Sequence, residues 1–185
     1  MRKLIYFTML SLDGFIETPD ASLDWVPIDE ELHTYLNAIE REVGTFLYGR
    51  RMYELMQAYW PTADTTSDLA YIVEFSKIYK QIPKLVFSST LAQVEGNATL
   101  TREDAVSTVK RLKAGNEGGD LEVGGAKLAS ALIQAGLVDD YRLFVVPVIL
   151  GAGTPMLPPL KTAVNLRLVE THTFHSGVVY LHYEC

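Results

Sequence analysis

The chain has 185 residues, 48% of them apolar and 21% charged, the make-up of one soluble globular domain rather than of two domains or a disordered segment. A domain of this length buries roughly 70% of its unfolded surface, enough for a core and a pocket without disulfides or structural metal. The formal net charge of -7, from 16 Lys plus Arg against 23 Asp plus Glu, argues against a nucleic-acid groove or an anionic membrane surface, both of which demand a basic face.

Cys185 is the single cysteine, so no intrachain disulfide forms, which fits a reducing cytoplasm. Arg2 and Lys3 precede an apolar run from Leu4 to Leu10 that is too short for a signal peptide or a membrane span. The expectation is a cytoplasmic protein with no membrane partner.

Lys3 to Met9, with Leu4, Ile5, Tyr6 and Phe7, reads as a central strand buried on both faces. Asp13 and Gly14 interrupt it, Phe15 and Ile16 resume it, and Thr18 to Asp24 is a polar loop suited to a lid or pocket wall. Asp29 to Glu42 carries Leu32, Tyr35, Leu36 and Ile39 at helical spacing, with Asp29, Glu30 and Glu31 where a helix N-terminus favours negative charge. Thr45 to Tyr48 is a short strand ending at Gly49, and Met52, Leu55, Met56 and Tyr59 mark a second helix ended by Pro61.

Ser67 or Asp68 caps a third helix through Leu69, Ile72, Val73, Ser76 and Tyr79, and Pro83 closes it before a strand from Lys84 to Ser88. Thr101 caps a fourth, Glu103 to Ala114, with Val106, Val109 and Lys110 on one side and Gly115 as its stop. Gly118 and Gly119 form a loop, Leu121 to Val123 a strand, and Lys127 to Ala135 a helix with Leu128, Ala131, Leu132 and Ala135 inward. Tyr141 to Leu150 is a long apolar strand. Leu166 to Thr171 and Val178 to Tyr183, around His175, Ser176 and Gly177, read as an antiparallel hairpin.

Strands alternating with helices make a three-layer α/β domain the economical architecture: a mainly parallel central sheet, helices on both faces, and a C-terminal antiparallel hairpin. Ligands of such sheets bind beyond the C-terminal strand ends. Three junctions stand there. Val123, Gly124, Gly125, Ala126 and Lys127 combine a diglycine with a helix N-terminus, which suits an anion; the alternative is a tight turn needing small residues. Gly49, Arg50 and Arg51 put two cations at a helix start, unfavourable to the helix dipole unless an anion joins them, or unless they reach acids such as Glu54. Ser88, Ser89 and Thr90 offer hydroxyls to phosphate, or form an ordinary loop. Taken together, the three fit a phosphorylated small molecule.

Other motifs fail. Gly151 and Gly153 begin a G-x-G-x-x-G match, but Met156 occupies the third glycine position and Pro155, Pro158 and Pro159 prevent the helix. His33, His172, His175 and His182, with no second cysteine and no H-E-x-x-H, give a metal site little support.

Ser11, Leu12, Asp13, Gly14 after the first strand, Gly49–Arg50, Ser88–Ser89 and Gly124–Gly125 together resemble the dihydrofolate reductase-like superfamily. More narrowly, Gly136 to Asp140 followed by Pro147 to Gly151 is similar to the reductase (RibD C-terminal) domain of riboflavin biosynthesis. The resemblance spans essentially the whole chain. It implies an NADPH-dependent reductase, a homodimer using the hairpin, and a small-molecule substrate related to that of 5-amino-6-(5-phosphoribosylamino)uracil reductase, or else a non-catalytic NADPH-binding module of the same fold. It implies that Gly124, Gly125, Ala126 and Lys127 meet the pyrophosphate, with Gly14 and Gly49 also against the cofactor. Arg50, Arg51, Ser88 and Ser89 surround the adenosine phosphates, and Ser22, Trp25 and Gly151 line the substrate. Dihydrofolate reductases place an acid in the first turn of the first helix, where Asp29 and Glu30 fall, so Glu30 is one candidate acid; Asp13 is another, with turn formation as its alternative. Two departures concern the substrate: Val123 replaces the glutamate that riboflavin-pathway reductases carry before the diglycine, and Gln57 to Thr62 replaces their Asp-Asp-Pro-x-Leu-Thr-x-Arg segment.

Overall fold

The computed structural model describes residues 1–115 and 118–185. The first strand, β1 (Leu4–Ser11), is followed by a short β2 (Phe15–Glu17), the helix α1 (Glu30–Glu40) and the strand β3 (Val43–Gly49). Three helices, α2 (Arg50–Gln57), α3 (Ala63–Thr66) and α4 (Ala70–Gln81), precede β4 (Lys84–Phe87) and β5 (Ala98–Thr101). Then come α5 (Ala105–Ala114), β6 (Asp120–Gly124), α6 (Ala126–Gln134) and β7 (Asp140–Val146), with β8 (Thr154–Pro155) and the hairpin β9 (Arg167–Thr173) and β10 (Val179–Glu184) completing the chain.

The main sheet has the order β5-β4-β3-β6-β1-β7-β10-β9. Strands β5 through β7 run parallel, whereas β10 is antiparallel to β7 and β9 to β10. This is the expected mainly parallel sheet with an antiparallel hairpin. Side chains alternate between its faces, as the pleat requires. Leu4, Tyr6, Leu121 and Val123 pack with Ala129, Leu132 and Ile133 of α6 and Val109 of α5. On the opposite face, Phe46, Tyr48 and Val86 meet Phe75, Ile78 and Tyr79 of α4, while Phe144, Val146 and Tyr180 meet Leu32 and Leu36 of α1. Each fully buried aliphatic or aromatic side chain contributes roughly 1.5–3 kcal/mol, so this double-sided burial dominates the stability.

Several local expectations change. Asp104, not Thr101, caps α5, its carboxylate accepting from the Ser107 amide at 2.8 Å; Thr101 is taken into β5. That four-residue strand is too short to show a period. Leu69, not Ser67 or Asp68, is the N-cap of α4 and is exposed, because Ser67 turns its hydroxyl to the Leu69 amide outside the helix. Lys110, Ala131 and Ala135 are exposed, and Thr108, Lys113, Ala129 and Ile133 face inward instead. In both helices the sheet lies a step round from the side that the apolar spacing marks. Strand β7 stops at Val146, since Pro147 cannot continue the ladder.

Candidate functional site

Strands β3 and β6 are neighbours, with Tyr48 opposite Gly124. Each runs directly into a helix through a glycine N-cap: Gly49 into α2 and Gly125 into α6, and neither cap receives a side-chain hydrogen bond. Two sets of unpaired helix N–H groups therefore open at adjacent strand ends. By contrast, α1 and α5 are closed by Asp29 and Asp104. Gly125 has φ +92, a conformation that L side chains resist. A Cβ on Gly124 would come within 3.2 Å of Met52 Cε and Tyr48 Cε1. The diglycine thus lets Met52 of α2 pack against the start of α6, and the space between the two helix N-termini is the candidate crevice. Ala126 begins α6 and Lys127 is exposed beside it.

The two arginines divide. Arg51 donates to both oxygens of Glu17, at 3.0 and 2.7 Å, and Thr154 Oγ1 donates to the same carboxylate at 2.6 Å. Arg50 instead donates to Glu54 at 2.8 Å and to Thr90 Oγ1 at 3.1 Å, so it leans over the loop after β4. Within that loop the Ser88 hydroxyl accepts from the amides of Thr90 and Leu91 at 3.2 and 3.1 Å, and Ser89 is exposed. Arg102 spans the loop, donating to the carbonyls of Ser88 and Leu91 at 2.5 and 2.6 Å. Its role is invisible until β5, just before it, is recognised as a strand.

Beyond β1 the chain turns at Ser11 to Gly14, and the Asp13 carboxylate accepts from Ser11 Oγ at 2.7 Å and from the amides of Leu150 and Gly151 at 3.1 and 2.7 Å. These bonds, the Ser11 hydroxyl foremost, hold it below the usual aspartate range. Gly14 donates its amide to the Ser11 carbonyl at 2.9 Å and accepts at its own carbonyl from Met156. Strand β2 pairs with β8, and Gly153 passes so close that a Cβ would lie 2.0 Å from the Glu17 carbonyl oxygen. Asp13 and Glu17 thus fasten the Gly151 segment to the end of β1 and to α2. Neither Glu17 nor Thr154 carries a sequence signal, because their meeting depends on residues 137 positions apart.

Trp25 donates its indole N–H to the Ser22 carbonyl at 3.2 Å and packs beside Met9 and Val148 against the cluster under α1. Of the acids at the start of α1, Asp29 caps the helix, Glu31 binds His175, and Glu30 is exposed. The structure therefore groups Asp13, Gly14 and Gly151 on one side and Gly49, Arg50, Ser88, Gly124 and Gly125 on the other, with Arg51 joining the two, while Glu30 stays outside these contacts.

Two other features lie apart. A shallow groove of about 330 Å³ is lined by Tyr53, Glu54, Gln57, Ala58, Gln93 and Glu95, none of them at the glycine junctions. Asp140, His182 and Glu184 converge, but the Lys3 ammonium already lies 3.3 Å from Asp140 and 2.8 Å from Glu184, so the protein supplies its own cation there.

Among known proteins, YyaP of Bacillus subtilis (strain 168), an uncharacterised protein, is 36% identical over 188 residues, covering 98% of this chain and 94% of that one. YwjB of the same organism, also uncharacterised, is 27% identical, with 98% and 97% covered. Among solved structures, a candidate riboflavin biosynthesis protein of Shewanella sp. PV-4 superposes with a TM-score of 0.77 at 21% identity, covering 98% of both chains. The deaminase/5-amino-6-(5-phosphoribosylamino)uracil reductase of Thermotoga maritima gives 0.67 at 15%, covering 99% of this chain and 56% of that one. Dihydrofolate reductase of Enterococcus faecalis, complexed with NADP(H), gives 0.61 at 17%, covering 98% and 95%. At these identities the structures establish a shared reductase-type fold. The model of the RibD C-terminal domain matches residues 2–180, and the chain belongs to that family.

Proposed function

We propose that this domain binds NADPH and reduces a small heteroaromatic substrate of pterin or aminouracil type. The observation that carries the reading is the pair of glycine-capped helix N-termini at the adjacent ends of β3 and β6. Their orphan N–H groups and positive dipole ends suit a pyrophosphate. Gly49, Gly124, Gly125 and Ala126 would hold that group, with Lys127 beside it. Arg50, Ser88, Ser89 and Thr90 would surround the ribose phosphate, in a loop that Arg102 keeps in shape. Bound there, the dinucleotide supplies the hydride.

The protein's own residues orient and enclose. Asp13 fixes the Gly151 backbone and Glu17 fixes Thr154, and Ser22 with Trp25, joined by the indole hydrogen bond, would form the opposite wall. Asp13 is ionised at neutral pH and acts by position; the proton would then come from solvent. The test is titration with NADPH, following nucleotide fluorescence and protection from unfolding. Absence of both at millimolar cofactor would overturn the proposal.

One observation favours a second reading, a dinucleotide-binding module without turnover: Asp13, the acid that holds the Gly151 segment, is kept below the usual aspartate range and so is a poor proton donor. Tight NADPH binding without oxidation across a panel of pterins, aminouracils and quinones would select it.

We further propose a cytoplasmic homodimer. All seven residues of β9 are exposed at the sheet edge, and Leu166, Leu168 and Val169 add apolar surface there. An unpaired edge of this kind invites a second copy. No helix among the described residues is long and apolar enough to cross a membrane.

A further inference from the structure

On the face of the sheet beneath α1, two carboxyl groups meet where water does not reach. Glu40 stands in the last turn of α1 and is 5% exposed; Glu122 projects from the middle of β6 and is 4% exposed. Each carboxyl lies close enough to act directly on the other, so one proton placed between them would join the two in a hydrogen bond. Glu40 Oε2 and Glu122 Oε2 are buried with no hydrogen-bond partner among the described residues, and so is Arg142 Nε on β7. Strand β1 separates the acid from the guanidinium, with Ile5 opposite Glu122 and Phe7 opposite Arg142.

The charge balance of this layer decides its protonation. Arg142 is the one cation acting on both acids, so two carboxylates would leave a net negative charge in a desolvated space, which costs several kcal/mol. One shared proton makes the cluster neutral. Among the described residues, the elements around the acids contribute the Tyr48 phenol from β3 and Tyr180 from β10; His182 of β10, opposite Arg142, contacts Asp140, and His33 of α1 contacts Asn37. Glu74 of α4 is occupied by Asn37 and Arg41, and Asp140 of β7 by Lys3. Burial is the largest influence on both acids and raises both above the usual carboxylate range, Glu122 further.

We propose that Glu40 and Glu122 hold one proton between them in the neutral-pH protein, and that its removal loosens α1 from the sheet together with the Trp25 wall that rests on α1. The mechanical link is the cluster in which Leu32 and Leu36 of α1 pack with Trp25. The inference depends on the buried cluster alone and stands or falls separately from cofactor binding.

The sign follows from linkage. The folded state retains a proton that the unfolded chain has lost above the ordinary glutamate range, so stability falls as pH rises between about 5 and 8. Thermal unfolding of the full chain should show a midpoint roughly 5 °C or more lower at pH 8.5 than at pH 5.5. In Glu122→Gln, whose amide can donate to Glu40 without titrating, that drop should be at least halved. A wild-type midpoint that does not fall, or an equal fall in the variant, overturns the proposal. Should the variant fail to fold, infrared spectroscopy of wild type at pH 7 decides: a protonated carboxyl band supports the shared proton and its absence overturns it. At pH 8.5, exchanging sodium for tetramethylammonium at constant ionic strength should leave the midpoint unchanged; stabilisation by the small ion would replace the proton with a bound cation. Amide protection of α1, corrected for intrinsic rates, should fall with pH while that of α5 holds, and an equal fall in both helices would remove the local release.

Discussion

Arg51 and Glu17 form a bidentate pair, Nη1 donating to Oε1 at 3.0 Å and Nη2 to Oε2 at 2.7 Å. The pair ties the first turn of α2 to β2, and so ties the crevice between helices to the segment around Gly151. It also separates the neighbouring arginines: Arg51 is held by Glu17 of β2, while Arg50, paired with Glu54 of its own helix, also reaches Thr90 of the hydroxyl loop.

Replacing Arg50 by Ala should therefore weaken NADPH roughly 10–100-fold, the loss of one charge-assisted contact, and leave NADH nearly unchanged. Arg51→Ala should weaken the two nucleotides alike. Dissociation constants for both, measured on both variants, check the division; equal effects of Arg50→Ala on the two nucleotides would remove the 2'-phosphate from its neighbourhood.

Asp13→Asn should speed hydrogen exchange at the amides of Leu150 and Gly151 and leave the pH profile of any reductase turnover unshifted. In wild type the tether is present above the ordinary aspartate range and is lost as pH falls through and below about 4, because the folded state favours the ionised form. Exchange rates followed by NMR from pH 7 to 3 read this directly. A shifted profile in the variant would make Asp13 a proton donor after all.

Gly125→Ala should lower stability by about 1–2 kcal/mol, the cost of an L side chain at φ +92, and weaken NADPH by blocking backbone approach. Urea unfolding and nucleotide titration measure the two separately. Gly153→Ala should cost at least as much, since its Cβ would collide with the Glu17 carbonyl, and should separate β2 from β8.

Asp104→Ala should destabilise the domain measurably, because the Ser107 amide loses its cap, whereas Thr101→Ala should do less. The reverse order in chemical denaturation would return the cap to Thr101.

A charge placed on the β9 edge, Val169→Lys, should yield a monomer at micromolar concentration if two copies pair there. Sedimentation velocity across a dilution series distinguishes the states.

Much of this protein is legible along the chain because its signals are local. Apolar runs such as Leu4 to Leu10, helical spacing such as Leu32 and Leu36, and glycines between strand and helix report on neighbours within one or two turns. They are enough to establish alternating strands and helices and to mark the strand ends at Gly49, Ser88 and Gly124 as candidate binding positions. The family resemblance, carried by those same junctions, holds through the fold. What the chain could not announce depends on pairings across it. Strand β5 has too few residues for a period and exists because β4 gives it a ladder. Arg50 and Arg51 are equivalent on paper and differ because Glu17 lies within reach of one of them. Glu40 and Glu122 carry no local signal of burial; only the register of β6 beside β1, with α1 laid across that face, buries them together. Local propensity is a property of sequence neighbours, whereas charge pairing and desolvation belong to whatever the completed fold brings within a few ångströms.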